Sequence, residues 1–280
     1  MTGRGIVLYL HVHQPWRVRE YSVFDTGENH DYFGVTREQH RDNREIFLKV
    51  ADKSYRPMNA KLMQLLEAHP EFKVSLSITG TFMEQAEAWA PDILESFKAL
   101  VATGRVEIVA ETYHHSLAFF YSRNEFEHQV ELHKAKIRDL FGVETAVFRN
   151  TELSYDNNLA TWADNYGFKG IITEGWDKVL GWRSPNYVYT PAATKNIKLL
   201  MKNYRLSDDI AFRFSNKAWE SYPLHADTYD EWINTSLGDD GQVVNLFMDY
   251  ETFGEHQWED TGIFDFFGEF VGRWLANPAN

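Results

Sequence analysis

The segment VVNLFMDYETFGEH (243–256) passes from an apolar run into Asp249, Glu251, Glu255 and His256. On a strand, residues two apart share a face, so Asp249 and Glu251 fall on one side. Two carboxylates this near repel, which raises the proton affinity of one of them and suits a proton donor working near neutral pH. A helix-capping acid with a solvated neighbour reads the same way. FRNTELSYD (148–156) sets Glu152 beside Arg149 and Asn150. An interior carboxylate near a guanidinium stays ionised, as a nucleophile must, although a structural Arg–Glu pair has the same letters. HVHQP places His11 and His13 on one strand face, where two imidazoles bind a divalent metal or hydrogen-bond a substrate's hydroxyls. The plainer alternative is one satisfied core histidine beside an incidental one. In AETYHHS, His114 and His115 follow another apolar run, so that one lines a site while the other caps the next segment. Glu84 in GTFMEQ would orient a ligand or complement a helix dipole. Trp16, Trp176, Trp182 and Trp258 sit in polar stretches, as stacking surfaces taken together and as loop anchors taken singly.

These groups must be positioned by the elements they end. Strands are expected at 5–12, 72–79, 105–112, 145–152, 168–175 and 243–249, each followed by a helical pattern or a loop. Helices are expected over Arg56–Ala68 and in a long segment broken near Pro91. A third opens at Ser122 with Glu125 completing a capping box, a fourth is capped by Asp156, and a closing one runs from Gly262 to Leu275. Residues 16–34 form a long connection without a period. The stretch 176–240 is harder and holds one or two strands, at 196–201 and 210–214. Strands alternating with helices mean βα units and a parallel sheet, and seven such strands make a barrel whose chemistry lies at the strand C-termini. The strand ends read HVHQP, SITGT, AETYHH, FRNTE, ITEGWD and FMDYE, so the ionisable residues collect where a barrel would use them.

Composition narrows the partners. With 28 Lys+Arg against 41 Asp+Glu the net charge is −13, a field that repels nucleic acid. There is no cysteine, hence no disulfide framework and no thiolate chemistry. No apolar run approaches the roughly 18 residues a membrane span needs, and the N-terminal run is too short for a signal peptide. A soluble, cytoplasmic α/β protein is the expectation. The aromatic share of 15% suits a sugar cleft as well as a large core.

Glycoside hydrolysis needs two carboxyl groups facing each other across the scissile bond. A seven-stranded barrel is roughly 13–14 Å across. Side chains reaching inward from the fourth and seventh strands would approach to about 5–6 Å, the separation of a retaining mechanism.

The ordered set HQPW, GTFMEQ, FRNTELSY and MDYETFGEH, spanning residues 11 to about 258, resembles glycoside hydrolase family 57, in particular its α-amylase-like branch. The resemblance implies an incomplete TIM-like (β/α)7 barrel and a retaining mechanism on α-1,4-glucans or maltooligosaccharides, without cofactor or metal. It implies Glu152 as nucleophile and Asp249 as general acid/base. His13 and Glu84 would line the glucose subsite, with Glu251 in its matching place; His11, Trp16, His114 and Arg149 join them as binding candidates. Family members usually continue past the barrel into a helical region with a fifth motif, which nothing up to Asn280 matches, so residues 1–280 are expected to be a single catalytic barrel without that region. Two other readings stay open. A metal-dependent hydrolase or deacetylase would use the HxH pair, and a glucan-binding barrel would have lost turnover.

Overall fold

A computed structural model describes residues 4–28, 31–34 and 42–277. Residues 29 and 30 of the long connection, and the first three of the N-terminal stretch, lie outside the described residues. In chain order the elements are β1 (Gly5–Val12), α1 (Asn43–Val50), a π-helical turn (Ala51–Tyr55), α2 (Arg56–Ala68), β2 (Val74–Ile78), α3 (Gly80–Trp89) and α4 (Pro91–Ala102). Then come β3 (Val106–Ile108), α5 (Arg123–Phe141), β4 (Val147–Arg149), α6 (Asn157–Tyr166), β5 (Gly170–Thr173) and α7 (Asp177–Leu180). The chain ends with β6 (Lys198–Met201), α8 (Tyr204–Asp208), a second π-helical turn (Asp209–Arg213), α9 (Ala226–Leu237), β7 (Val243–Asp249) and α10 (Ile263–Ala276).

Local chemistry sets the boundaries. Pro91 opens α4, where its missing N–H costs nothing, and so separates α4 from α3. Ser122 caps α5 by accepting the Glu125 N–H, but Glu125 accepts from Gln129 Nε2 at 2.8 Å instead of completing the expected capping box. Gly142, with φ 69°, ends the same helix in the left-handed conformation that a glycine adopts without strain. Asp156 caps α6 as the sequence suggests.

The described ladders between these strands are all parallel, and one isolated antiparallel bridge joins Tyr189 to Leu199 of β6. One sheet has the order β3-β2-β1-β7, the other β4-β5-β6. Between them, a bridge pairs Ala110 with Phe148, carried by Ala110 N–H to Val147 O and Arg149 N–H to Ala110 O, both 2.8 Å. On the far side Asn203 N–H reaches Asn245 O at 2.9 Å, and the Asn245 amide reaches Met201 O at 2.8 Å. The strands therefore follow one another around an incomplete barrel, as two sheets joined by two thin seams. β1 pairs β7 from Gly5 opposite Val243 to His11 opposite Asp249.

The expected strand at 210–214 is corrected. Ile210, Phe212 and Phe214 alternate like a strand, but Ile210 and Phe214 are buried a helical turn apart while Phe212 is exposed, and the segment is the second π-helical turn. Helices α1 and α9 are not among the expected elements. Asp42 caps α1 by accepting the Glu45 N–H, and both helices bury one face, Phe47 and Val50 in α1 and Tyr229 and Ile233 in α9, against the core. That outer core lies between the sheet and the helices, with Leu8, Leu10, Leu76 and Ile78 meeting Phe97, Phe267 and Phe270. Among the described residues no helix is long and apolar enough to cross a membrane.

Candidate active site

Inside the barrel, Tyr9, Val109, Leu153, Ile172 and Phe247 form a small buried cluster, with Val147 and Leu200 packed against it. Side chains two apart on a strand share a face, so the next residue inward and upward from each is fixed by the sequence. Above Tyr9 stands His11, above Val109 Glu111, above Val147 Arg149, above Ile172 Glu174, above Leu200 Lys202, and above Phe247 Asp249. An apolar floor thus carries a storey of ionisable groups, at the strand C-termini where βα barrels place chemistry. A cavity of about 190 Å³ opens over it, lined among others by His11, Arg149, Glu152, Glu174, Lys202, Asp249 and His256.

Glu152 enters this cavity from the turn after β4. Its φ of 56° and that of Leu153, 53°, put two successive non-glycine residues in the left-handed region. Such positions cost roughly 1–3 kcal/mol each and collect at functional sites. The turn is held by Leu153 N–H to Asn150 O at 3.0 Å, Asn150 to Ser154 at 3.0 Å, and Thr151 to Ser116 O at 2.8 Å. The Glu152 side chain is left 74% accessible, with His115 Nε2 2.8 Å from one oxygen. That hydrogen bond, with Arg149 behind it, outweighs partial burial and holds the Glu152 carboxyl below its usual range. Asp249 projects from the end of β7 with 58% of its side chain accessible, and His11 Nδ1 lies 3.8 Å away. Burial alone would raise its carboxyl, but His11, Arg149 and His256 overcome that and bring it down to about 2.

The neighbouring Glu251 behaves in the opposite way. It is 6% exposed, accepts Tyr55 O–H at 2.5 Å and His13 N–H at 3.4 Å, and faces away from water. Burial first, and then the charge of Asp249, push its carboxyl up to about 8. Of the two acids on this strand end, the one that keeps a proton at neutral pH is therefore the inner one.

The histidines form one stack. His13 and His115 have ring centroids 4.2 Å apart, His11 and His115 5.0 Å, and His11 and His13 5.6 Å. His13 Nδ1 pairs with Thr79 Oγ1 at 3.0 Å, and burial together with the charges of His115 and His11 lowers its pKa to about 3, so it stays neutral. His115 is pulled the other way. Burial opposes its charge, but the Glu111 carboxylate 3.7 Å away and the hydrogen bond to Glu152 raise its pKa. His114 is exposed and lies against Tyr113, its N–H donating to Gln129, and does not join the cluster. Trp16 and Glu84 make a second polar group beside it: Trp16 Nε1 and Tyr113 O–H both donate to Glu84, at 3.0 and 2.9 Å. Trp176, Trp182 and Trp258 are exposed.

Of the pair His114 and His115 it is His115 that lines the site, and Glu111, Glu174, Lys202 and Tyr55 join it without a signal read from the sequence. Glu111 was legible, since Val109-Ala110-Glu111 repeats the step from apolar floor to polar storey seen in Tyr9-Leu10-His11. It is fully buried, and His11, His115 and Arg149 outweigh the burial and keep its carboxyl well below the usual range. His11, Glu111 and His115 offer donor atoms close enough to share a metal ion. Arg149 Nη1, however, lies 3.2 Å from His11 Nε2 and 3.4 Å from Glu111 Oε2. The guanidinium already places a positive charge beside the atoms that would ligate a cation, and a second cation there would be repelled.

The family described as Glycosyl hydrolase family 57 matches residues 7–277. A Methanocaldococcus jannaschii protein provisionally named an alpha-amylase is 46% identical over 93% of this chain, which covers 54% of that protein. The alpha-amylase of Pyrococcus horikoshii is 26% identical over 81% of this chain and 36% of its own length. The chain thus spans from about half to about a third of these curated relatives. Among solved structures, the 4-alpha-glucanotransferase of Thermococcus litoralis superposes with a TM-score of 0.72 at 20% identity, over 99% of this chain and 38% of that one.

Proposed function

The chain belongs to glycosyl hydrolase family 57, and on that premise we propose that it is the catalytic barrel of a retaining enzyme acting on α-1,4-glucans, of α-amylase or 4-α-glucanotransferase type. The observation that carries this reading is that Glu152 and Asp249, from the ends of β4 and β7, reach one cavity, each with an imidazole beside it. Glu152, kept ionised by His115, attacks the anomeric carbon as Asp249 gives its proton to the glycosidic oxygen. The carbon–oxygen bond breaks, the shortened glucan leaves with that proton, and a glycosyl ester remains on Glu152. Asp249, now ionised, takes a proton from water or from a sugar hydroxyl, which cleaves the ester and returns both groups to their starting state.

The free-state acidity of Asp249 fits the second half directly. For the first half, a glucan covering its accessible side chain removes water, and desolvation favours the protonated form. The neutral Glu251 behind it adds no second negative charge. Polar groups at the rim, Glu84 with Trp16 and Tyr113, suit sugar hydroxyls and a stacked ring.

The test is incubation of the purified chain with maltoheptaose and chromatography of the products, with Glu152→Gln and Asp249→Asn alongside. Shortened or disproportionated oligosaccharides from the wild type, reduced roughly 10³-fold or more in either variant, support the pair. Normal turnover by Glu152→Gln removes it. Maltoheptaose binding by a folded chain without any product shifts the reading to a glucan-binding barrel.

A further inference from the structure

The two proposed catalytic carboxylates are not independent. Glu152 Oε1 lies 2.8 Å from His115 Nε2, and His115 Nδ1 lies 3.7 Å from Glu111 Oε2. The same Glu111 oxygen is 3.1 Å from His11 Nε2, whose other nitrogen is 3.8 Å from Asp249 Oδ1. We propose that Glu111 is a positioning residue for both halves of the reaction, its single buried oxygen holding one imidazole against the nucleophile and another against the acid/base. The inference rests on the assignment of Glu152 and Asp249 made above.

Three features separate this role from neutralisation of the buried Arg149. A carboxylate kept for a guanidinium tends to meet it with both oxygens. Here a single Arg149 nitrogen approaches Oε2 at 3.4 Å, while Glu111 Oε1, Arg149 Nε and His115 Nδ1 have no hydrogen-bond partner, so that the His115 arm is an ion-pair contact at 3.7 Å. The Glu111 oxygen is instead shared between imidazoles that leave in opposite directions. Its backbone is also anchored from behind. Glu111 N–H donates to His133 Nδ1 at 3.4 Å, and His133 on α5 reaches Ile78 O at 2.9 Å, tying the chain just after β3 to the end of β2. Finally, the two arms reach different strand ends, β4 through His115 and β7 through His11. A carboxylate at this place fixes the relative pose of two groups that no strand ladder joins directly.

An imidazole oriented by a buried carboxylate typically loses 10–100-fold in function when that carboxylate is removed, by analogy with carboxylate–histidine pairs at other sites. Glu111→Gln is therefore expected to lower kcat on maltoheptaose roughly 10–100-fold with KM within about twofold. A second substrate, α-maltosyl fluoride, separates the arms, because fluoride departs as an anion and needs no proton from the enzyme. With azide supplied as an acceptor that needs no base in the second half, Asp249→Asn should regain turnover on the fluoride. Glu111→Gln should not, since its Glu152 arm is also released. Glu111→Asp keeps the charge facing Arg149 and so the fold, but it is one methylene too short to serve both rings, and it should share the kcat defect. Circular dichroism at the assay temperature checks that each variant is folded. Adding His115→Asn to Glu111→Gln should cost less than the product of the two single losses, as for groups acting in series.

Normal kcat in folded Glu111→Gln and Glu111→Asp overturns the proposal, as does a loss confined to KM, recovery on the fluoride, or losses that simply multiply. If Glu152→Gln and Asp249→Asn retain turnover on maltoheptaose, the assignment of the pair has failed. If they lose it while the Glu111 variants do not, only this inference has.

Discussion

Replacing Glu251 with glutamine tests the electrostatics of the site through stability. Glu251 is 6% exposed, and its carboxyl moves from its ordinary 4.5 to about 8 in the folded protein. Between those values the native state holds a proton that the unfolded chain has released. The sign follows: a carboxyl raised on folding costs nothing below about pH 4.5, and stability then falls as pH rises, by about 1.4 kcal/mol per pH unit until about pH 8. Between about pH 5 and about pH 8.5 this group alone removes on the order of 4 kcal/mol. Glutamine resembles the protonated acid and keeps an oxygen for Tyr55 O–H and His13 N–H. It has no proton to lose. Equilibrium urea unfolding of both proteins at those two pH values gives the difference directly, because every other titrating group cancels in the comparison. The variant should gain about 4 kcal/mol relative to wild type on going from the lower to the higher pH. A difference constant to within about 0.5 kcal/mol would show that Glu251 titrates normally, and the argument from burial and the Asp249 charge would fail.

The Glu152 carboxyl is held low chiefly by its hydrogen bond from His115, so His115→Asn should let it rise toward the usual range. The acid limb of the kcat/KM profile on maltoheptaose would then move to higher pH, and an unmoved limb would contradict this. Gly254, in the fourth motif, has φ +106°, and a Cβ added there would stand 1.8 Å from Lys53 O. Gly254→Ala should therefore cost about 3 kcal/mol or more and lower Tm by roughly 5–10 °C in a thermal melt. Because the Arg149 guanidinium already lies beside His11 and Glu111, exhaustive dialysis against a chelator should leave turnover of maltoheptaose unchanged. Activity restored by added zinc would count against that view of the cluster.

The alternation of strands and helices, the strand ends and the inward-facing positions were legible in the sequence, because side-chain direction on a strand repeats every two residues. That rule alone places His11, Arg149 and Asp249 on the barrel's inner face, and Glu152 at a strand end. The same rule marks Glu111, which the pull of the neighbouring double histidine in AETYHH obscured. What no local pattern could decide was which of His114 and His115 turns inward. The left-handed turn at His115, φ 54°, and the contacts of Tyr113 settle that, and both depend on packing across the barrel. Nor does the spacing of Asp249 and Glu251 say which acid keeps the proton. Glu251 is shut away beside Tyr55, which arrives on a π-helical turn nearly two hundred residues earlier in the chain. Proton affinity follows from desolvation and from charges brought near by folding. The sequence by itself therefore determined which residue types crown the barrel, through a short-range periodicity. Only the tertiary structure decided their protonation and their pairing, because electrostatic energies depend on distances and burial that are set between elements far apart in the chain.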